Sequence, residues 1–209
     1  MTFSEIRTEV FARLEESSSA PVFWKLSEVN TSINEGYREL SDASEWNESS
    51  TTLTFITTKL YYNLRTTLTN SFLSLKRIFN VQSDEWLVPV HTRRLDQHDT
   101  AQWETSTGDP DKFFMRGGWY LGLTPKPTSS GTAKVWYTEL PSALSADADT
   151  PGFPQEFHFG IVEYALYDLF AQEGDTQKAL KHWMDYEAYE NALSKYVDGR
   201  MAKDKIGAF

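Results

Sequence analysis

The sequence predicts an α+β protein whose helical ends form a four-helix bundle-like body around a small, inserted, antiparallel β-rich segment. Near both ends, apolar residues recur at helical spacing, which is typical of amphipathic helices. From Thr51 to Thr69 the chain is rich in Thr, Tyr, Phe and Ile, which favour strands, and further strand-like runs follow as far as Thr138. After residue 198 no apolar stripe continues, so the sequence also predicts an extended C-terminal tail.

These patterns divide the chain into three predicted parts. Residues 1–50 and 141–197 are expected to pack together as the helical body, because each predicted helix has a single apolar face that must be buried. Residues 51–140 are expected to form the inserted β-rich domain, and residues 198–209 the extended tail.

Two helices are predicted before residue 50. Thr2 and Glu5 have the spacing of a capping box, so a first helix begins there and ends in the serine run 17–19. A second helix is predicted from about Lys25 to Leu40. It contains Gly36, which costs about 1 kcal/mol relative to alanine, so we expect another element to pack closely on it.

Turn and cap residues mark the middle and the end of the chain. Gly117 and Gly118 lie between two short apolar runs, as in a hairpin turn. Pro154 suits the first position of a helix. Gly174 is expected to end that helix, and Asp175 to cap the next one.

The composition restricts the possible functions. The formal net charge of −10 disfavours general binding to nucleic acid, which needs clustered Lys and Arg. The absence of cysteine excludes disulfide and thiolate chemistry. The first residues lack the pattern of a signal peptide, and no apolar run approaches the roughly 20 residues of a membrane span. We therefore expect a soluble protein that is used without secretion and has no membrane partner.

Motifs for catalysis are scarce. The sequence has no helical His-Glu zinc motif, no Gly-rich phosphate loop and no Gly-x-Ser-x-Gly elbow, so we expect no enzyme activity, no cofactor and no metal. Paired carboxylates leave one enzymatic alternative. Glu156 and Glu163 are seven residues apart on the same side of a predicted helix, as a glycosidase pair could be, although a solvated polar face also explains them.

Aromatic residues form a stripe on the last predicted helix, consisting of Trp183, Tyr186, Tyr189 and Tyr196. Tyr and Trp combine a large apolar area with a polar tip, so they serve both cores and subunit contacts. We expect Trp183 to lie in the core. At least one of the three tyrosines is expected to contact another subunit.

Three stretches, in this order and spacing, resemble phage head–tail connector (adaptor) proteins over most of the chain. The stretches are Phe23-Trp24 with Ile33–Leu40, Gly108–Pro110 with Leu123–Pro127, and Leu140-Pro141 with Phe153–His158. Lys25 departs from the family pattern, in which Ser or Thr often caps the second helix.

The resemblance implies an architectural role. Family members form rings, expected here to be dodecameric, that bind beneath the portal protein, extend the DNA channel and provide the surface for tail attachment. The implied partners are the portal protein, tail or tail-nozzle proteins and further copies of the chain, while DNA passes through the lumen without sequence-specific binding. The implied location is the virion neck, with assembly in the host cytoplasm.

The family's C-terminal tails often reach the portal, which suggests a role for the end of this chain. The candidate portal-docking residues are Arg200, Lys203, Lys205, Ile206 and Phe209, in a tail that is expected to order on docking. Two alternatives are a peptidoglycan hydrolase associated with the phage tail and another stopper or tail-completion subunit. The four predicted helices count against a stopper, because stoppers tend to be smaller and mostly β.

Overall fold

The computed structural model describes residues 1–68, 72–98 and 102–204. The chain forms two compact units, a helical unit of Met1–Asn47 and Leu140–Phe209 and a β unit of Glu48–Glu139. The helical unit therefore comes from both ends of the chain, whereas the β unit is one continuous segment.

Six α-helices lie within the described residues. In chain order they are α1 (Phe3–Arg13), α2 (Leu26–Ala43), α3 (Leu64–Thr67), α4 (Thr92–His98), α5 (His158–Glu173) and α6 (Thr176–Asp204). The helical unit contains α1, α2, α5 and α6, and a 3-10 turn at Gln155–Phe157 leads into α5.

Three of the local signals for helix ends are confirmed, whereas α1 ends at Arg13, before the serine run, and Pro154 is the N-cap of the 3-10 turn. Thr2 caps α1 through its side chain, and the carboxylate of Glu5 accepts a hydrogen bond from the Thr2 backbone N–H in return. Gly174 ends α5 in the left-handed conformation, with φ of 89°, which glycine adopts without a Cβ penalty. Asp175 then accepts a hydrogen bond from the backbone N–H of Lys178 at 3.1 Å and caps the start of α6.

The predicted four-helix bundle-like body is wrong. The protein is α+β, but α5 is a central helix that contacts α1, α2 and α6, and α1 has only 11 residues while α6 has 29. The prediction assumed one apolar face for each helix. Instead α5 is buried around most of its circumference, as the adjacent pairs Ile161-Val162 and Ala165-Leu166 show.

Glycines allow α5 to approach its neighbours closely. A Cβ on Gly36 of α2 would lie 2.9 Å from the Cβ of Tyr164, so the expected close packing at Gly36 is confirmed. A Cβ on Gly160 of α5 would lie 2.9 Å from the Cβ of Tyr189 and 3.0 Å from Leu40 Cδ2. The close packing around α5 therefore depends on glycines, which have no side chain, as well as on apolar side chains.

The predicted extended tail is also wrong at its start. Helix α6 continues past residue 198 to Asp204. Val197 is the last buried side chain described on α6, so the rest of the helix carries no apolar stripe that the sequence would reveal. The next residues include Arg200, Met201 and Ala202, which favour helix without needing burial, so the backbone stays helical beyond the stripe.

The β unit spans Glu48–Glu139. Its described strands are β1 (Glu48–Phe55), β2 (Tyr61–Asn63), β3 (Phe72–Asn80), β4 (Glu85–Trp86), β5 (Val88–Pro89), β6 (Thr107–Gly108), β7 (Lys112–Arg116), β8 (Tyr120–Thr124), β9 (Lys126–Pro127) and β10 (Gly131–Glu139). They form sheets in the orders β1-β10-β3-β4, β2-β8-β7-β5 and β6-β9. Most pairs are antiparallel, but β5–β7 and β6–β9 are parallel.

The predicted Gly117–Gly118 turn joins β7 to β8, with Arg116 opposite Tyr120, and is confirmed. Two clusters form the core of the β unit. The larger one includes Leu53, Ile78 and Val135. The smaller one is formed by Leu60, Leu95, Trp103 and Phe114.

His158 is a buried titratable group in the helical unit. Its Nε2 lies 2.9 Å from the Phe153 carbonyl oxygen, and its Nδ1 lies 2.8 Å from the Met1 ammonium. A neutral ring that donates from Nε2 and accepts at Nδ1 satisfies both partners. Burial lowers the pKa of His158.

Lowering the pH below about 6.5, the ordinary pKa of histidine, is therefore expected to destabilise the helical unit. In the unfolded chain, His158 takes up a proton that the buried ring in the folded state does not. The full free energy of unfolding is therefore present above that pH, and it declines as the pH falls toward the lowered pKa of folded His158. Urea unfolding between pH 8 and 5 measures this slope. The His158→Gln variant should show a shallower slope, and an unchanged slope would contradict the assignment.

Candidate functional site

The aromatic stripe of α6 faces α5 along its first half. Tyr186 is buried at 2% exposure, and its ring centroid lies 5.2 Å from that of Tyr164 and 5.3 Å from that of Trp183. Trp183 is partly buried and packs against the main hydrophobic cluster of the helical unit, as expected. Tyr186 therefore contributes to the core of the unit.

Tyr189 and Tyr196 each keep part of the side chain exposed to solvent. Tyr189 is half-buried where α6 crosses Gly160. Tyr196 is 36% exposed, stacks on Trp46 at 6.4 Å between ring centroids, and carries the Arg200 guanidinium 5.6 Å from its ring centroid. A contact of these tyrosines with another subunit stays a prediction.

Carboxylates crowd the surface around the buried tyrosines of the helical unit. Burial, followed by the charges of Glu39, Asp168 and Glu35, raises the pKa of Tyr164 to about 12. Burial and then the charges of Glu187 and Glu39 raise the pKa of Glu190. These shifts reflect an acidic surface that involves α2, α5 and α6.

The two glutamates of the enzymatic alternative have different environments. Glu156 is exposed in the turn before α5. Glu163 is buried, binds the Arg13 guanidinium through Oε1, and lies 2.7 Å from His182 Nδ1 through Oε2. Because both of its oxygens are occupied, Glu163 is a structural ion-pair partner rather than a carboxylate that faces a substrate.

Among the described residues, one group of side chains has ligand atoms close enough for a metal ion, all within 4.8 Å of one another. It consists of Glu163, His182 and Asp185. The Arg13 guanidinium forms an ion pair with the Glu163 carboxylate, and His182 pairs with the other oxygen of that carboxylate. The internal pairing explains this cluster without a cation.

The predicted portal-docking residues fall at the end of α6 and beyond it. Arg200 is exposed on α6, and Lys203 lies in the last turn of the helix. Lys205, Ile206 and Phe209 lie outside the described residues. Portal docking by these residues stays a prediction.

One face of the sheet that contains β3, β4 and β10 presents aromatic and basic side chains. Trp86 is 50% exposed, and its ring centroid lies 5.1 Å from that of Trp136. The Arg77 guanidinium lies 5.1 Å from the first ring and 4.9 Å from the second. Sequence patterns missed this face, because the three residues come from three strands and meet only through the strand pairing.

The described helices include none that is both long and apolar enough to cross a membrane. Partly exposed aromatic side chains lie on both units, and aromatic residues are enriched at protein interfaces. The model of the SU10 adaptor protein family matches residues 1–206. The chain therefore belongs to this phage adaptor family, and the resemblance seen in its sequence is confirmed. None of the curated proteins matches the chain.

Proposed function

We propose that this adaptor is a structural subunit of a phage head–tail connector ring, expected to be dodecameric, in the neck of the virion. It binds beneath the portal protein, extends the DNA channel and provides a surface for tail or tail-nozzle proteins. The family match over residues 1–206 carries the proposal, because a phage adaptor family implies contacts with other head and tail proteins.

The distribution of charge supports a DNA channel. The segments of the helical unit contain 10 Lys and Arg against 21 Asp and Glu, a net of −11, whereas the β unit contains 10 against 9, a net of +1. An acidic channel wall repels phosphate, so DNA would pass without sticking to it. This role requires that acidic helices line the lumen.

The exposed aromatic face of the β unit supports the tail attachment surface. Trp and Arg are enriched at the centres of protein interfaces, and Trp86, Trp136 and Arg77 lie together on one sheet face. We assign this face to a tail-side partner, and the end of α6 with the residues that follow it to the portal.

Deleting residues 198–209 is expected to abolish binding to the portal protein of the same phage while leaving the fold intact. Val197 is the last buried side chain described on α6, so the deletion removes no described core contact. Circular dichroism measures folding, and electron microscopy of mixtures with portal measures docking. Replacing the exposed Lys195 with alanine is the matched control, because it removes one charge of α6 and leaves the end of the chain in place.

The outcomes separate two parts of the proposal. If the shortened chain docks like the full chain, the C-terminal portal anchor is wrong. If the full chain neither docks on portal nor forms a ring, the connector function itself is wrong.

A further inference from the structure

The first strand of the β unit forms an edge of its sheet. Strand β1 pairs with β10 on one side, and no described strand pairs with its other side, which we call the outer edge. Its eight residues pair with β10 in one continuous register, whereas the pairing of β10 with β3 contains irregularities. A regular strand edge presents a row of backbone N–H and C=O groups to which another strand can bind.

Hydrogen bonds at the start of β10 show how the backbone of this strand is oriented. The Thr132 carbonyl oxygen accepts a hydrogen bond from the Val81 N–H at 3.1 Å, and the Thr132 N–H donates to Gln82 Oε1 at 2.8 Å. Both partners directly follow β3, so the backbone groups of Thr132 point toward β3. Because backbone groups alternate between the two sides of a strand, those of Ala133 and Val135 point toward β1.

The same alternation identifies the residues of the outer edge. The residues of β1 opposite those two β10 residues are Leu53 and Thr51, which therefore form hydrogen bonds with β10. Ser50, Thr52 and Thr54 alternate with them, so their N–H and C=O groups point to the outer edge. All three residues are exposed. The outer edge therefore offers one donor and one acceptor at each of three positions.

The outer edge ends at Ile56, the residue that follows β1. The Tyr62 hydroxyl accepts a hydrogen bond from the Ile56 N–H at 3.1 Å, and it lies 3.2 Å from the Ile56 carbonyl oxygen. Within the described part of the chain, the outward backbone groups of Ser50, Thr52 and Thr54 have no such partner. The fold therefore satisfies the end of this edge and leaves its central part accessible.

The other described strands at sheet edges are protected in ways that natural sheets commonly use. Strand β2 has three residues, and β4, β5, β6 and β9 have two each. In addition, β5 contains Pro89 and β9 contains Pro127. Short strands and proline both hinder edge pairing. Strand β1 has eight residues, no proline and a single charged residue, Glu48 at its start. An edge of this length without those protections indicates a binding surface for another strand.

We propose that an extended segment of the tail-side protein binds to the outer edge of β1 and adds a strand to this sheet. The inference rests on the proposed function, and it specifies how the tail attachment surface recognises its partner. Main-chain hydrogen bonds to Ser50, Thr52 and Thr54 supply the affinity in this mode of binding. A segment of about five residues is long enough to reach from Ser50 to Thr54.

The position of β1 in the sheet favours the tail-side protein as the partner. Side chains of directly paired residues lie on the same face of a sheet, so Ser50 lies beside Trp136 and Thr52 beside Lys134. Trp136 belongs to the aromatic face that we assign to the tail-side protein. A strand added at the outer edge extends this face, so one partner can contact the backbone of β1 and the aromatic side chains together.

A second copy of the chain fits the outer edge less well. Among the described strands at sheet edges, only β1 itself has a matching length. Pairing of two β1 strands through the same edge relates the two copies by a two-fold axis. A two-fold contact joins two copies and does not continue around a ring.

Hydrogen–deuterium exchange tests the proposal without changing the chain. Exchange is compared in the free chain, in the chain assembled on portal, and in intact virions of the same phage. The amides of Ser50, Thr52 and Thr54 should exchange rapidly in the first two samples and at least about tenfold more slowly in virions, because a hydrogen-bonded amide exchanges only when its bond opens. The amides of Thr51 and Leu53 are internal controls and should exchange slowly in all three samples.

The other outcomes are distinguishable. Slow exchange of the outward amides already in the free chain or in the portal assembly means that another surface covers the outer edge, which overturns the assignment to the tail-side protein. Rapid exchange of these amides in virions overturns strand addition. Absence of the chain from virions contradicts the proposed connector function itself.

A proline substitution tests the outward backbone groups directly. Thr52→Pro removes an outward N–H and none of the hydrogen bonds to β10, so circular dichroism should show an intact fold. Tail attachment, measured as the fraction of tailed particles in electron micrographs of phage that carries the variant, should fall by about tenfold or more. Thr52→Val is the matched control, because it removes the hydroxyl and keeps the N–H, and it should attach tails normally.

A second variant covers the case in which the proline variant does not fold. Thr52→Lys keeps every backbone hydrogen bond and places a charge on the edge strand, which is one way that natural sheets block strand addition. It should also reduce tail attachment. Normal attachment by a folded Thr52→Pro chain, or by Thr52→Lys where the proline variant does not fold, overturns strand addition at β1 and leaves the connector function standing.

Discussion

Replacing Phe114 with alanine is expected to lower the free energy of unfolding of the β unit by about 3–5 kcal/mol. Phe114 is fully buried in β7, and its ring packs edge-on against Trp103 at 5.2 Å and Tyr61 at 6.0 Å between centroids. The two aromatic neighbours are rigid, so the surroundings are expected to fill only part of the cavity. Guanidinium unfolding followed by tryptophan fluorescence measures the change.

Gly122 provides the complementary test, because it lies opposite Phe114 in the β7–β8 pair. A Cβ on Gly122 would overlap the Phe114 ring, so Gly122→Ala should cost about 1–3 kcal/mol. In the double variant the new methyl group occupies part of the cavity, and the combined cost should be less than the sum. Gly118→Ala is the control, since no atom lies within 4 Å of the added Cβ. Additive costs would contradict the packing described for this site.

Replacing Arg13 with methionine is expected to destabilise the helical unit by about 3 kcal/mol. The guanidinium of Arg13 joins α1 to α5 through Glu163, whose side chain is only 8% exposed. Without Arg13, the buried carboxylate of Glu163 keeps only the His182 ring as a close partner, and an uncompensated buried charge is costly. The value lies at the low end of the usual range because the Arg13 side chain is 34% exposed. Urea unfolding followed by circular dichroism at the helical signal measures the loss.

A second substitution distinguishes charge from packing. Adding Glu163→Gln to the Arg13→Met variant should recover part of the stability, because an amide of the same shape carries no charge to compensate. Arg38→Met on the exposed surface of α2 is the matched control and should change stability little. The assignment is wrong if the double variant is no more stable than Arg13→Met.

Local features of this fold could be predicted from the sequence, since their causes lie within a few residues. The Thr2–Glu5 capping box, the left-handed Gly174 and the Gly117–Gly118 turn each depend on a short run of suitable residue types. The family could also be recognised, because its motifs are local stretches in a fixed order.

Features that depend on distant residues could not be predicted. The central position of α5 arises from contacts with three helices, and Arg13 meets Glu163 across 150 residues of sequence. The sequence Val22-Phe23-Trp24 is apolar throughout, yet Trp24 is buried and Phe23 is exposed. The Glu16 carboxylate holds this loop through hydrogen bonds from the Val22 and Phe23 backbone N–H groups, a contact that the sequence pattern does not reveal.

The construction of the helical unit from both ends of the chain has a consequence for biosynthesis. Helices α1 and α2 leave the ribosome first, but α5, which buries their apolar faces, follows only after the whole β unit. At roughly 5–20 residues per second, this delay lasts several seconds, during which the continuous β unit can fold alone. We therefore expect the helical unit to form only after α5 has emerged, when the β unit is already folded.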